Sequence, residues 1–138
     1  MAELKKVETQ LAVIERTSPN LVETRFKEDV RITVEGMNEN IRARHRLCAE
    51  IPHAMLTVMP AGAEFDPDIL RSNLFQFDGP RAQILAIAVV THGPMISMIA
   101  RLYFSYFPQV TRTRLFNNEA EARAWLDLQL AEMGFSAN

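Results

Sequence analysis

The stretch ILAIAVV, residues 84–90, limits what this chain can fold into more than any other. Seven apolar residues in a row, without the alternation of a strand that has one wet face, predict a strand covered on both sides, as inside a parallel sheet. Parallel neighbours need crossovers that carry the chain back to the same end, and helices are the usual crossovers. The chain is therefore expected to be an α/β protein with helices laid on its sheet.

The flanking sequence supplies such elements. QLAVIER and LVETRFK are β-prone and are separated by Thr17-Ser18-Pro19-Asn20, a turn composition, so they predict a hairpin. Thr33 can cap a helix in which Val34, Met37, Ile41 and Cys48 share one face and Glu35, Glu39, Arg42 and Arg46 share another. Arg44 reads with Arg42 and Arg46 as part of a solvated face. HAMLTVM, residues 53–59, is the next strand and ends at Pro60-Ala61-Gly62-Ala63. Asp66-Pro67-Asp68 combines an N-cap, a first-turn proline and an early carboxylate, predicting a second helix with Ile69, Leu70, Leu74 and Phe77 as its apolar stripe.

Pro94 starts a third helix, TRTRLF forms a short last strand, and Asn117 or Asn118 caps a final helix with Ala122, Trp125, Leu126 and Met133 inward. The expected order is ββαβαβαβα: one domain over residues 1–138, with an N-terminal hairpin, a mixed and mostly parallel sheet and four helices.

Charge and cysteine content narrow the function. Fifteen basic residues against seventeen acidic ones, a net charge of −2, do not make the basic face that nucleic-acid binding needs. Cys48 is the only cysteine, which excludes an internal disulfide and fits a reducing compartment. The opening MAELKKVETQLAV lacks the apolar run of a secretory signal, so a cytoplasmic location is expected. The longest apolar region, Ile84 to Phe107, is divided by Gly93-Pro94, and neither piece reaches the roughly 20 residues of a transmembrane helix.

The succession of elements, with the ending Phe116, Asn117, Glu119, Glu121, Ala122, Trp125 and Leu126, resembles the STAS-like superfamily, in particular the SpoIIAA-like branch of small stand-alone bacterial proteins. The resemblance implies a regulatory or protein-binding domain rather than an enzyme. It also implies a partner surface around the strand-to-helix junctions, and in many members a Ser switched by phosphorylation in the turn after the third strand. The corresponding turn here, VMPAGAEFDPD from Val58 to Asp68, holds neither Ser nor Thr. A phosphate acts through its added charge and acceptor oxygens, so without a hydroxyl that switch is not carried over.

Two features point to where binding occurs. Thr91-His92-Gly93 lies between the carboxyl end of ILAIAVV and a helix start, the edge where open α/β sheets take ligands and where free N–H groups favour anions. The helix that follows has Ser97, Arg101 and Ser105 as one narrow polar stripe, and its remaining surface exceeds the apolar arc that one sheet buries. The expected binding residues are Thr91, His92, Gly93, Ser97, Met98, Arg101 and Phe104.

The expected partner is a protein or a second copy of the chain, because the helix is too poor in Lys and Arg for a membrane-surface element; peripheral lipid contact ranks behind it. The alternative is a small-ligand, lipid or anion binder, with this helix as pocket wall and Thr91, His92 and Ser97 orienting a polar head group. His45 and Cys48 fall short of a metal site, and Glu64, Asp66 and Asp68 are accounted for by helix capping. No catalytic residue, metal or cofactor is expected.

Overall fold

The computed structural model describes residues 5–48, 50–72, 83–107 and 111–135. Its strands are β1 (Lys6–Glu8), β2 (Ala12–Ser18), β3 (Leu21–Phe26), β4 (Arg31–Ile32), β5 (His53–Met59), β6 (Glu64–Phe65), β7 (Ile84–Thr91) and β8 (Arg112–Phe116). Its α-helices are α1 (Val34–Cys48), α2 (Pro94–Tyr106) and α3 (Glu119–Glu132), and a 3-10 helix covers Pro67–Arg71.

Six strands form one sheet in the order β1-β2-β3-β5-β7-β8. The first three run antiparallel, while β3, β5, β7 and β8 are parallel neighbours. ILAIAVV thus lies inside the sheet, between β5 and β8, and Ala86 to Val90 are all buried. The α/β class and the mixed, mostly parallel sheet follow the sequence reading.

The element order does not. Among the described residues the chain has three α-helices rather than four, and β1, β4 and β6 are strands that ββαβαβαβα omits. Where the second helix was expected, Asp66 does act as cap, its Oδ1 accepting from Asp68 N at 3.0 Å. The turns that follow close three residues on, Ile69 N to Asp66 O at 3.0 Å and Ser72 N to Ile69 O at 3.2 Å, and Ser72 is already extended. That pattern is a 3-10 helix, which rarely exceeds a few residues. Leu74 and Phe77 of the expected stripe lie outside the described residues.

The turn without a hydroxyl also has a structure. Within Val58 to Asp68, β6 pairs in parallel with β4, Arg31 opposite Glu64 and Ile32 opposite Phe65, a two-stranded sheet that holds Ile32 fully buried.

Strand alternation sends side chains to two unlike cores. Toward α3 point Ala54, Leu56, Ala86, Ala88 and Val90, packed with Ala122, Leu126 and Leu130. Small side chains on both partners let α3 lie close to the sheet. Asn118 caps that helix, its Oδ1 accepting from Glu121 N at 2.8 Å, and an ion-pair seam of Glu23, Arg25, Glu119 and Arg123 ties it to β3. Toward α1 and α2 point larger residues, among them Val22, Phe26, Met55, Met59, Ile87 and Val89.

Thr33 caps α1, its Oγ1 accepting from Gly36 N at 3.0 Å. A Cβ on Gly36 would stand 2.5 Å from Leu11 Cδ1, so the helix meets the chain beside β2 closely enough that any larger residue would have to displace the Leu11 side chain. The buried line of α1 is Gly36, Asn40, Ala43, Arg44, Leu47 and Cys48, with Val34, Met37 and Ile41 at its rim. Arg44, read as solvated, is only 3% exposed, because α1 turns it toward His53. No helix among the described residues is long and apolar enough to cross a membrane.

Candidate functional site

The helix α2 rests on the sheet through Ile96, Ala100 and Tyr103, all buried. At about 100° per residue, Met95, Met98, Leu102 and Tyr106 form a second stripe roughly a third of a turn round from the first. These four are 66%, 60%, 39% and 58% exposed. Ile99, half-buried, joins the two stripes, and on the far flank Arg101 donates to Ser97 Oγ at 3.0 Å. The helix therefore carries a continuous apolar arc of which only part is covered by its own fold.

The turn before α2 is built on a special backbone. Gly93 has φ +126° and ψ 150°, a region closed to side chains, and it is the helix N-cap without a side-chain cap bond. Thr91, at the end of β7, is buried, whereas His92 is exposed and its backbone N donates to Met59 O at 3.1 Å. The seven residues singled out from the sequence thus divide. His92, Gly93, Met98 and Arg101 face outward with Ser97 half-buried beside them; Thr91 is interior, and Phe104 is half-buried against Tyr103 at 5.3 Å, edge to face.

Beneath α2 lies a cavity of about 80 Å³. Met55, Thr57, Ile87 and Val89 form its floor on the sheet, and Ala100, Tyr103 and Phe104 form the α2 wall. From α1 come Met37, Asn40, Ile41 and Arg44. Neither Thr91, His92 nor Ser97 reaches it, so the polar groups available to an occupant are not those read from the sequence.

Asn40 is 6% exposed; Thr9 Oγ1 donates to its Oδ1 at 2.6 Å, while its buried Nδ2 has no hydrogen-bond partner among the described residues. Arg44 approaches His53 Nε2 at 3.1 Å, and the other ring nitrogen, Nδ1, lies 2.8 Å from Ile51 O. With the Nδ1 proton donated to that carbonyl, Nε2 is left to accept from the guanidinium. Arg44 reads from sequence as part of a solvated face, and Asn40 one helical turn before it carries no reading at all. Only the packing of α1 on the sheet turns them in, and no local signal marks them.

The carboxylates Asp66 and Asp68 are engaged by Arg31 at 3.5 Å and Arg71 at 3.2 Å. His45 is exposed and Cys48 buried, and among the described residues no group of three or more His, Cys, Asp or Glu is placed to hold a metal.

Residues 16–129 match the model of a family described as Domain of unknown function (DUF7793). No curated protein matches the sequence. Among solved structures, the chain is similar to an uncharacterized protein from the DUF3478 family with a SpoIIAA-like fold from Shewanella loihica PV-4. The TM-score is 0.56 at 16% identity, over 91% of this chain and 98% of that one. The fold is SpoIIAA-like, as the sequence resemblance implied.

Proposed function

The chain belongs to the DUF7793 family of domains of unknown function, and we propose, on its SpoIIAA-like fold and the exposed apolar face of α2, that it acts by binding another protein rather than by catalysis. The exposed stripe Met95, Met98, Leu102 and Tyr106 on α2 carries this reading. Large apolar side chains at three- and four-residue spacing along one helix give a surface that gains by leaving water, at about 25 cal/mol per Å². Methionine and tyrosine adapt well to such contacts. His92, Gly93, Ser97 and Arg101 border the stripe as a polar rim, and Thr91 anchors the turn from beneath.

The occupant tested first is a second copy of the chain, since two such helices can pack antiparallel through the same residues in an isologous pair. Lipid contact ranks below it, because Arg101 is the only cation on α2. The turn from Val58 to Asp68 lacks a hydroxyl, so control of binding does not run through phosphorylation there. The free, buried Cys48 supports a cytoplasmic location.

The experiment is light scattering after size-exclusion chromatography on wild type and Met98→Glu. A wild-type dimer that becomes a folded monomer on substitution supports the reading. A wild-type monomer that also yields no crosslinked protein in cells, with a photoreactive amino acid in place of Met98, overturns it.

A further inference from the structure

The cavity under α2 lies over the middle of the sheet. The helix α1 rests on β1 and β2 and α2 rests on β7 and β8, so the cavity falls between the two helices, above β3 and β5. Protein interiors hold few voids larger than a water molecule, and one water needs roughly 10–15 Å³ of such space. At about 80 Å³ this cavity has room for several waters or one small ring, and it communicates with solvent, so a molecule can enter.

Its floor carries one polar spot. Thr24 of β3 and Thr57 of β5 are direct partners in the parallel register, and both side chains fall on the face of Val22, Phe26, Met55 and Met59, toward α1 and α2. The two residues are 6% and 8% exposed, yet neither hydroxyl makes a hydrogen bond among the described residues, and neither oxygen is wholly enclosed. A valine pair would have nearly the same shape and no polar atom to satisfy. Neighbouring strands lie about 4.8 Å apart, so two such hydroxyls can both donate to a single oxygen placed between them, at the usual O–H···O distance of about 2.7–2.8 Å. A carbonyl oxygen takes both donors on its two lone pairs and brings no donor of its own. Around this spot Met37, Met55, Tyr103 and Phe104 give a wall of thioethers and rings, which suits a flat aromatic group.

We propose that the cavity binds a small aromatic ketone or aldehyde, its carbonyl oxygen accepting from Thr24 Oγ1 and Thr57 Oγ1 while its ring lies among Met37, Met55, Ile87 and Phe104. The site is separate from the exposed stripe of α2, so it stands or falls independently of the protein-binding surface.

The test uses the full chain with acetophenone, which has a carbonyl, and cumene, which has a similar shape without one. In methyl NMR titrations both probes are expected to move the signals of Met37, Met55 and Ile87. The affinity for acetophenone relative to cumene should fall about tenfold in Thr57→Val and likewise in Thr24→Val, since each substitution removes one hydrogen bond and keeps the shape. Cavity methyl signals that respond to neither probe, or an affinity ratio unaltered in a folded valine variant, would overturn the assignment. Valine is favoured in strands, and if one variant fails to fold the other is read alone on the same criterion.

Discussion

Replacing Glu23 with Gln removes the carboxylate that two arginines share across the seam between β3 and α3. Glu23 accepts from Arg123 at 2.6 and 3.2 Å and from Arg25 at 3.1 Å, and its side chain is only 10% exposed. Arg25 also donates twice to Glu119, at 2.7 and 3.0 Å, and Arg123 Nε donates to it at 3.2 Å, so the four groups form a closed network. Breaking a fully buried pair costs about 3–5 kcal/mol, and an exposed one about 0–1 kcal/mol. Here the acid is buried while the guanidinium side chains are 46% and 38% exposed and can rehydrate. The expected loss for Glu23→Gln lies between those limits, about 2 kcal/mol.

Acid gives a second reading of the same network. Hydrogen bonds from Arg25, outweighing burial and joined by those from Arg123, hold Glu119 down from 4.5 to about 2. For Glu23 burial pulls upward, but hydrogen bonds from Arg123, with those of Thr17 and Arg25, leave it below its ordinary value. Depressed carboxyl values mean that stability is complete above the unfolded value and is lost as pH falls through the folded one. The shift of Glu119 corresponds to at most about 3 kcal/mol. With a third of that side chain in water, roughly 1 kcal/mol is expected.

The assay is urea unfolding followed by circular dichroism for wild type, Glu23→Gln, Arg123→Gln and the double variant, from about pH 7 to about pH 2.5. A coupling of about 1–2 kcal/mol near neutrality is expected, with a shallower acid loss below pH 4.5 in Glu23→Gln than in wild type. A coupling under about 0.3 kcal/mol, or identical acid profiles, would refute the reasoning.

Three further outcomes follow from single positions. Gly93→Ala places a Cβ on a backbone at φ +126°, 3.3 Å from Ala61 Cβ, and should lower stability by about 1–3 kcal/mol in thermal unfolding; an unchanged midpoint contradicts this. Asn40→Leu removes the orphan donor at the cost of the Thr9 bond and should raise the unfolding midpoint by about 4 °C without added ligand. A lowered midpoint would mean that the amide is already satisfied. Burial pushes the Cys48 thiol up against the pull of the Arg44 and Arg16 charges. Ellman's reagent should therefore label it only as fast as the native protein opens, and prompt labelling in native buffer would count against its burial.

The elements legible in advance were those with a repeating pattern and a boundary signal. ILAIAVV, the helix capped by Thr33, the Gly93-Pro94 helix start and the Asn118 cap all combine periodicity with chemistry at their ends. Strands β1, β4 and β6 are two or three residues long, too short for a period, and β4 and β6 exist only through pairing with each other. The Asp66-Pro67 signal correctly marked a helix start but not its kind, because cap chemistry is shared by 3-10 and α turns.

Local sequence therefore determined the class of fold, the five longer strands and the three α-helices, though not the fourth helix expected after Asp66, and an apolar excess on α2, since propensity, capping and side-chain period act within one or two turns of chain. Tertiary structure alone decided which part of that excess faces water, that Asn40 and Arg44 turn inward, and that a cavity opens among side chains from β5, β7, α1 and α2. Those outcomes depend on how distant segments fill a shared volume, and packing density is a property of the assembled layers rather than of any one of them.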